Sequence, residues 1–207
     1  DASQAMGACF AKLIETKNKK KTKIKIFPLD NVYLGYKITS EEALGALNKF
    51  KIFDKFRVTN RNTNMLAAKA INKGKIIARA VGKAEFGARS LGNRSILAHP
   101  SKMNVKETIN ESIKNREFWM PFAASVLERK AKEYFHFSGE ADKFKYMTNC
   151  SDTTVKGKSY LKAALHPYDQ TCRPQILANN SNPLYEDLIK KFGNISGVYG
   201  LLNTSFN

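Results

Sequence analysis

Cysteine is scarce in this chain of 207 residues, and long apolar runs are absent. The three cysteines, Cys9, Cys150 and Cys172, are odd in number and widely spaced. This excludes a disulfide scaffold and a zinc knuckle, and it favours incidental thiols in a reducing compartment. No apolar run approaches the roughly 20 residues that a membrane-spanning helix needs, and the first residues lack a secretory signal pattern. We therefore expect a cytoplasmic protein with no membrane partner.

Acidic residues are about half as frequent as basic ones. The chain has 18 Asp and Glu against 35 Lys and Arg, so its formal net charge is +17. A surface of this charge attracts anions such as nucleic acid, acidic membranes or phosphorylated small molecules. A run of lysines between Lys17 and Lys25 is typical of a loop or linker, and a solvated lysine face is the simpler alternative. The hydrophobic share of 43% is ordinary for a globular domain and is enough for a core.

Hydrophobic spacing predicts helices that alternate with short strands. Residues 1–16 have apolar side chains at helical spacing and stand apart, as the end of another domain would. Thr39 and Glu42 have the spacing of a capping box, so a helix is expected to begin there. Further helices are predicted at 65–71 with Gly74 as the stop, at 105–113, and from Asn182 to a stop at Gly193.

The strands are predicted from short β-branched or apolar runs, at 75–81, 123–127, 160–165, 175–177 and 198–202. Helices and short strands that alternate at these spacings are typical of an α/β domain. We expect a twisted sheet that is partly parallel.

The segment 82–95 combines glycines with arginines in a loop. Gly87 and Gly92 allow close backbone approach to a ligand, and the planar forks of Arg89 and Arg94 suit phosphate oxygens. The segment has neither the P-loop pattern nor the Rossmann fingerprint. From the pattern alone, an anion pocket and a glycine-rich turn with solvated arginines are equally open.

The segment 114–125 places basic and aromatic residues directly before an apolar strand. Lys114 and Arg116 follow a predicted helix, where they could face a ligand at the strand end. Trp119 and Phe122 are expected in the core rather than as a stacking platform.

Histidine is rare, and no pair has the spacing of a metal site. His166 with Asp169 suits a general base, but a structural histidine is the favoured alternative. Residues 203–207 follow a strand, so their amides and hydroxyls are expected at a sheet edge, where α/β folds commonly bind ligands. Arginines that converge with such partners would stabilise the charge that develops in phosphoryl or adenylyl transfer.

Four motifs stand in order along the chain: GKAEFGARSLGNRSILAHP at 82–100, KNREFWMPFAASV at 114–126, HPYDQTCRPQ at 166–175 and LLNTSFN at 201–207. Together they resemble the O-carbamoyltransferase family, which includes enzymes that carbamoylate nodulation factors, cephalosporins and aminoglycosides. The resemblance covers about residues 30–207.

The resemblance implies two parts. Residues 1–25 correspond to the remnant and linker of a Kae1-like domain of the actin-like ATPase type. Residues 26–207 correspond to a YrdC-like domain, a twisted mixed sheet flanked by helices, which is expected to bind carbamoyl phosphate and ATP with Mg²⁺ and to make carbamoyl-adenylate. The Kae1-like part is expected to hold a metal ion, iron or similar, with Asp1 among its ligands. It would pass the carbamoyl group to the hydroxyl of a small-molecule or sugar acceptor, and a homodimer is compatible with this arrangement.

The resemblance also implies the site residues. The expected catalytic residues, which neutralise charge on the reacting groups, are Arg89, Arg116 and Arg173. The residues expected to bind the substrate and the nucleotide are Asn93, Arg94, Lys114, His166, Asn203, Thr204 and Ser205.

The chain departs from the family pattern at several positions. Met120 stands in place of an Arg, His99 of an Asp and Gln170 of a Gly, while Ala88 and Ala124 replace prolines. Two alternatives to an active enzyme follow. The chain could be a basic nucleic-acid-binding YrdC-like module, as its charge suggests, or an inactive domain kept for subunit contacts, as Met120 suggests.

Overall fold

The computed structural model describes residues 2–20, 25, 27, 29–117, 119–136 and 141–206. Its helices are α1 Ala2–Lys20, α2 Ser40–Lys49, α3 Ile52–Lys55, α4 Thr63–Asn72, α5 Met103–Ile109, α6 Glu128–Tyr134, α7 Val155–Tyr160 and α8 Pro183–Ser196. Its strands are β1 Ile77–Ala80, β2 Arg94–Ala98, β3 Ala123–Leu127, β4 Phe135–His136, β5 Asp152–Thr153, β6 Gln175–Leu177 and β7 Gly200–Thr204.

Five of these strands form one mixed sheet in the order β1-β2-β7-β3-β6. β3 and β6 are parallel, with Ser125 opposite Gln175, while the other neighbouring pairs are antiparallel. Strands β3, β6 and β7 are buried at every position, which requires cover on both faces of the sheet. The expectation of an α/β domain with a mixed sheet flanked by helices is confirmed.

The core lies between this sheet and its helices. α4 and α8 pack against each other, and α8 also contacts β3 and β7. The largest buried side chains include Ile71, Leu97, Ile109, Phe192 and Leu201. Burial of each such side chain stabilises the fold by about 1.5–3 kcal/mol relative to leaving it in water. By contrast, α2 and α3 bury no residue, so they contribute little to this core.

The predicted strand at 160–165 is wrong. Residues Val155–Tyr160 form α7, and a 3-10 turn follows at Lys162–Ala164. Thr154 caps the helix because its side chain accepts a hydrogen bond from the Gly157 amide. The apolar run is buried as expected, but a short buried run does not by itself distinguish a strand from a turn.

Two helix predictions differ in detail. The helix that begins at Asn182 continues past Gly193 to Ser196 and ends at Gly197, which has φ 77°. A Cβ on Gly193 would lie 2.3 Å from the Tyr199 ring, so this glycine allows close packing rather than ending the helix. The helix expected at 105–113 is α5 followed by a π-helical turn, Asn110–Lys114.

Three further predictions are confirmed, and several elements of the fold were not predicted. The Thr39–Glu42 capping box is present, the Asn182 cap is present, and Gly74 follows α4 with φ 84°. α3, α6, β2, β4 and β5 were not predicted. Among the described residues, no helix combines the length and the apolar character needed to cross a membrane.

Candidate functional site

One edge of the sheet brings together segments that are far apart in the chain. β2, β3 and β6 begin at this edge, while the antiparallel β7 ends there. The residues just before the three beginnings and just after the end therefore lie side by side. This topology brings the four motifs, which are separate in the chain, together at one site.

A pocket of about 210 Å³ lies at this edge. We call it the arginine pocket, because four cationic residues line it: Arg89, Lys114, Arg116 and Arg173. Its other polar lining comes from Ser90, Asn203, Thr204 and Ser205. Seven of the expected site residues are thus brought together, and no Asp or Glu lines the pocket within the described part of the chain.

The cations of the arginine pocket repel one another, and their partial burial adds a desolvation cost. Burial lowers the pKa of Arg173, and the charges of Arg89 and Arg116 lower it further. Burial and Arg89 likewise lower the pKa of Arg116, and burial and Arg116 lower that of Lys114. Like charges at close range disfavour the charged form, so a bound anion would relieve both the repulsion and the desolvation.

Arg173 lines the arginine pocket and has one donor without a partner in the described part of the protein. Its Nε atom is buried and has no hydrogen-bond partner among the described residues. An unpaired buried donor costs about 1–3 kcal/mol. Arg116 is held differently, with its guanidinium 5.1 Å from the centroid of the Phe122 ring. The pocket therefore offers at least one donor that an oxyanion could satisfy.

Lys114 reaches the pocket from the end of the π-helical turn. Its Nζ donates a hydrogen bond of 3.0 Å to Ser205 Oγ. Asn115, the next residue, has φ 46°, a left-handed conformation that asparagine tolerates better than most residues. The change from α to π winding redirects the chain here, as π turns at functional sites often do.

A buried polar network supports the floor of the arginine pocket. Asn203 Nδ2 donates to Ser125 Oγ at 2.9 Å and to the Ser90 carbonyl at 3.1 Å, and Asn203 Oδ1 accepts from Ser90 Oγ at 3.1 Å. Ser125 Oγ in turn donates to Gln175 Oε1 at 2.6 Å, and Gln175 Nε2 donates to the Leu91 carbonyl at 2.9 Å. The network ties β3, β6 and β7 to the loop that carries Arg89. Asn203 is thus a support of the site as well as part of its lining.

Asn93, Arg94 and His166 are not brought into the arginine pocket. Asn93 is buried, where it donates to the Lys83 carbonyl and accepts from Asn182. Arg94 donates to the carbonyls of four residues: Tyr36, Val81, Gly82 and Asn93. It instead lines a neighbouring cavity beside Arg89. These two side chains are occupied by the fold itself.

His166 closes its own turn. Its Nδ1 lies 3.1 Å from an Asp169 carboxylate oxygen, and the Asp169 pKa is lowered mainly by hydrogen bonds from Thr171. This is the structural alternative considered for His166. Asp1 lies outside the described residues, and no group of three or more His, Cys, Asp or Glu able to hold a metal ion occurs within the described ones.

A second cavity adjoins the arginine pocket. It measures about 340 Å³ and shares Ala88, Arg89, Met147 and Arg173 with the pocket. Its remaining lining is mainly apolar and aromatic: Met6, Leu29, Val32, Phe86, Leu91 and Tyr146. We call it the apolar cavity. Tyr146 and Met147 were not predicted, because nothing in their local sequence pattern marks them as neighbours of the arginines.

The aromatic and thiol expectations have mixed outcomes. Phe122 is buried in the core as expected, whereas Trp119 is half exposed and the core prediction for it is wrong. Cys9, Cys150 and Cys172 are all free thiols. Burial raises the pKa of Cys172 to about 12, so this thiol is unreactive.

Comparison with known proteins adds a family match and several relatives. The family model for the carbamoyltransferase C-terminus matches residues 68–207. An uncharacterized protein of Methanocaldococcus jannaschii is 36% identical over 181 residues, which are 86% of this chain and 29% of that protein. Nodulation protein NolNO of Sinorhizobium fredii is 41% identical over 141 residues, 68% of this chain and 21% of that protein.

The 3'-hydroxymethylcephem-O-carbamoyltransferase of Amycolatopsis lactamdurans is 33% identical over 138 residues, which are 67% of this chain and 25% of that protein. The chain therefore spans less than a third of the length of each of these relatives. All four sequence motifs, and every residue of the arginine pocket, fall inside the matched range 68–207.

Proposed function

The chain belongs to the carbamoyltransferase family through its C-terminal domain, and from this premise we propose that it binds carbamoyl phosphate and ATP and makes carbamoyl-adenylate. The observation that carries the proposal is the convergence of three arginines and a lysine on one pocket without a described acidic residue. Such a pocket suits a ligand with several phosphate oxygens, because charge-assisted hydrogen bonds to phosphate are strong and often bidentate.

The phosphate group of carbamoyl phosphate is assigned to Arg173 and Ser205. Arg173 has the buried unpaired Nε, and Ser205 Oγ is already held by Lys114. Arg89 and Arg116 are assigned to the nucleotide phosphates and to the charge that develops as the adenylate forms. The base and ribose of ATP would then occupy the apolar cavity, which opens beside Arg89 and Arg173.

The proposed chemistry is balanced as follows. Carbamoyl phosphate and one water give carbamate and inorganic phosphate, and the carbamate oxygen then displaces pyrophosphate from the α-phosphorus of ATP. The acceptor hydroxyl attacks the carbamoyl carbon, loses its proton and releases AMP. The four cations of the pocket stabilise the oxyanions in the steps that lead to carbamoyl-adenylate. Mg²⁺ would enter with the triphosphate, whose oxygens are the ligands it prefers.

Transfer to the acceptor is assigned to the rest of a longer protein. The chain spans less than a third of each relative described above, so the metal ion, the remaining ligands beside Asp1 and the choice of hydroxylated acceptor belong to that proposed part. The division into residues 1–25 and 26–207 is part of this proposal. So is a cytoplasmic location, which the three free thiols support.

Calorimetric titration with carbamoyl phosphate and with a non-hydrolysable ATP analogue tests the proposal. Replacement of Arg173 by Ala (R173A) should weaken carbamoyl phosphate binding at least about tenfold, because a charged hydrogen bond contributes roughly 1.5–3 kcal/mol. Arg57→Ala is the matched control, since Arg57 is exposed and lines neither the arginine pocket nor the apolar cavity. Equal binding by both variants would refute the assignment of Arg173.

Nucleic acid binding is the second candidate function, favoured by the +17 charge and by the basic last turn of α1, which carries Lys17, Lys19 and Lys20. It predicts RNA or DNA affinity that falls steeply with salt. It also predicts that charge removal at these lysines weakens binding while R173A does not. Binding of this kind without binding of carbamoyl phosphate would replace the first proposal.

A further inference from the structure

Loop residues 86–92 form a wall between the arginine pocket and its neighbours. This segment, which we call the Arg89 loop, contributes Ala88 and Arg89 to the arginine pocket, to the apolar cavity and to a third cavity of about 270 Å³. Residues 86–89 are exposed, so packing alone does not fix them. The position of Arg89 therefore depends on how the stem of its loop is held.

Glu85 holds the stem. Its Oε1 atom accepts hydrogen bonds from the backbone amides of Leu91 at 2.7 Å, Asn93 at 2.7 Å and Arg94 at 3.2 Å. One carboxylate oxygen thus joins the residue before the Arg89 loop to one amide near the end of the loop and to two amides after it. These hydrogen bonds lie inside the backbone hydrogen bond from the Val81 amide to the Asn93 carbonyl, at 2.9 Å, which continues the pairing of β1 with β2.

Other contacts also hold the loop, and Asn93 crosses the stem through its hydrogen bond to the Lys83 carbonyl at 2.8 Å. The Phe86 amide donates to the Val32 carbonyl at 2.7 Å, and Ser90 is bound to Asn203 of the buried network. Gly92, at the end of the loop, has φ 108°, and a Cβ there would lie 2.2 Å from the Tyr185 ring. Among these contacts, Glu85 is the one side chain that binds three backbone amides through a single oxygen.

We propose that Glu85 is a positioning residue, whose carboxylate sets the Arg89 loop so that Arg89 can bind the anion in the arginine pocket. The inference deepens the proposed function and rests on it. Glu85 itself lines the third cavity and not the arginine pocket, so it acts through Arg89.

Whether replacement of Glu85 strengthens or weakens phosphate binding distinguishes a positioning role from an electrostatic one. Glu85 is a negative group near an anion site, so its charge alone disfavours anion binding. Removal of that charge should strengthen phosphate binding if electrostatics decides, and removal of the hydrogen-bond acceptor should weaken it if positioning decides. The two roles therefore predict opposite effects of Glu85→Ala, and for Glu85→Asp, which keeps the charge, a loss of binding if positioning decides and no loss if electrostatics decides.

Titration with inorganic phosphate is the test. We expect Glu85→Gln, which keeps an acceptor oxygen, to bind phosphate at least as tightly as the unmodified chain. Glu85→Ala and Glu85→Asp, which lose the acceptor or its reach, should bind at least about tenfold more weakly. Glu107→Ala removes an exposed acidic residue outside all three cavities and should leave binding unchanged. If Glu85→Ala fails to fold, the comparison of Glu85→Asp with the unmodified chain still decides, because Asp keeps the charge and loses only the reach.

A double-mutant cycle with Arg89→Ala shows whether Glu85 acts through Arg89. Positioning predicts that Glu85→Asp adds nothing to the loss caused by Arg89→Ala, whereas losses that multiply would overturn the inference. Undiminished phosphate binding by both Glu85→Asp and Glu85→Ala would overturn it alone. An unmodified chain that binds no phosphate would overturn it together with the proposed function, and phosphate binding without carbamoyl-adenylate formation would overturn only the latter.

Discussion

His99 is the titratable residue whose environment most directly links pH to stability. It is buried, its ring meets the Phe192 ring edge to face at 5.1 Å, and its Nδ1 accepts a hydrogen bond from the Ser101 amide at 3.2 Å. Burial, with a smaller contribution from the Lys102 charge, lowers the pKa of His99 from 6.5 to about 4. The neutral ring is therefore the form that the folded chain accepts.

The sign of the pH dependence follows from this shift. Below pH 6.5 the unfolded chain takes up a proton at His99 and the folded chain does not, so this contribution to stability is complete above pH 6.5 and falls as pH drops toward 4. Between neutral pH and pH 5 the expected loss is about 2 kcal/mol. Urea unfolding of the unmodified chain and of His99→Asn at both pH values measures it. The variant should lose less stability on acidification, and identical losses would contradict the prediction.

For single residues, the sequence predicted which side chains could bind an anion better than it predicted where each side chain lies in the fold. Arg89, Arg116 and Arg173 line one pocket because each stands beside a strand end, a relation that the motifs preserve. Asn93 and Arg94 belong to the same motif as Arg89, yet their side chains bind backbone carbonyls and a neighbouring amide. Spacing along the chain does not distinguish a side chain that faces a ligand from one that faces the fold.

Helices α2 and α8 both begin at a side-chain cap, but they differ in what depends on that cap. Asn182 accepts from the Tyr185 amide at the start of α8 and donates to Asn93 Oδ1 at 2.9 Å, and α8 is part of the core. Thr39 caps α2 with a full capping box, but α2 buries nothing. A cap contributes to global stability only as far as its helix does.

Replacement of these caps tests this difference. Asn182→Ala should lower the free energy of unfolding by about 2 kcal/mol, because it removes a cap and the hydrogen bond that the buried Asn93 Oδ1 accepts. Thr39→Ala should cost less than about 0.5 kcal/mol in global unfolding, since α2 can open locally. Chemical denaturation of the two variants gives both values. Equal losses would show that α2 is part of the cooperative unit.

Elements with strong local signals were predicted, while those defined by tertiary contacts were not. The caps at Thr39 and Asn182 and the apolar run at 123–127 predict α2, α8 and β3. β2 begins at Arg94 inside a segment that resembles a polar loop. The strand order depends on long-range pairing, which no local window contains. Glu85 was missed for the same reason, because its three partners are identified only by the folded backbone.

For the molecule as a whole, the arginine pocket stores unfavourable electrostatic energy in the absence of a ligand. An anion that fills the pocket stabilises the folded state by mass action. At a phosphate concentration of about a hundred times Kd we expect a gain of about 2.7 kcal/mol, or a rise in Tm of about 5–10 °C. Thermal unfolding in phosphate against chloride at equal ionic strength measures it. R173A should lose most of this difference, and a rise that persists in R173A would identify a non-specific salt effect.

The position of β7 also has a consequence for how the chain reaches its native state. β7 pairs with both β2 and β3 at the centre of the sheet, yet it follows every other strand of the described residues in the chain. During synthesis β2 and β3 are made before β7. Until β7 is made, the edge of each strand that will pair with β7 has no partner. Closure of the sheet is a late event of high contact order, and the residues of the arginine pocket meet only then. A phosphate-bearing ligand can therefore slow unfolding of the finished domain, but it has no assembled site through which to guide the nascent chain.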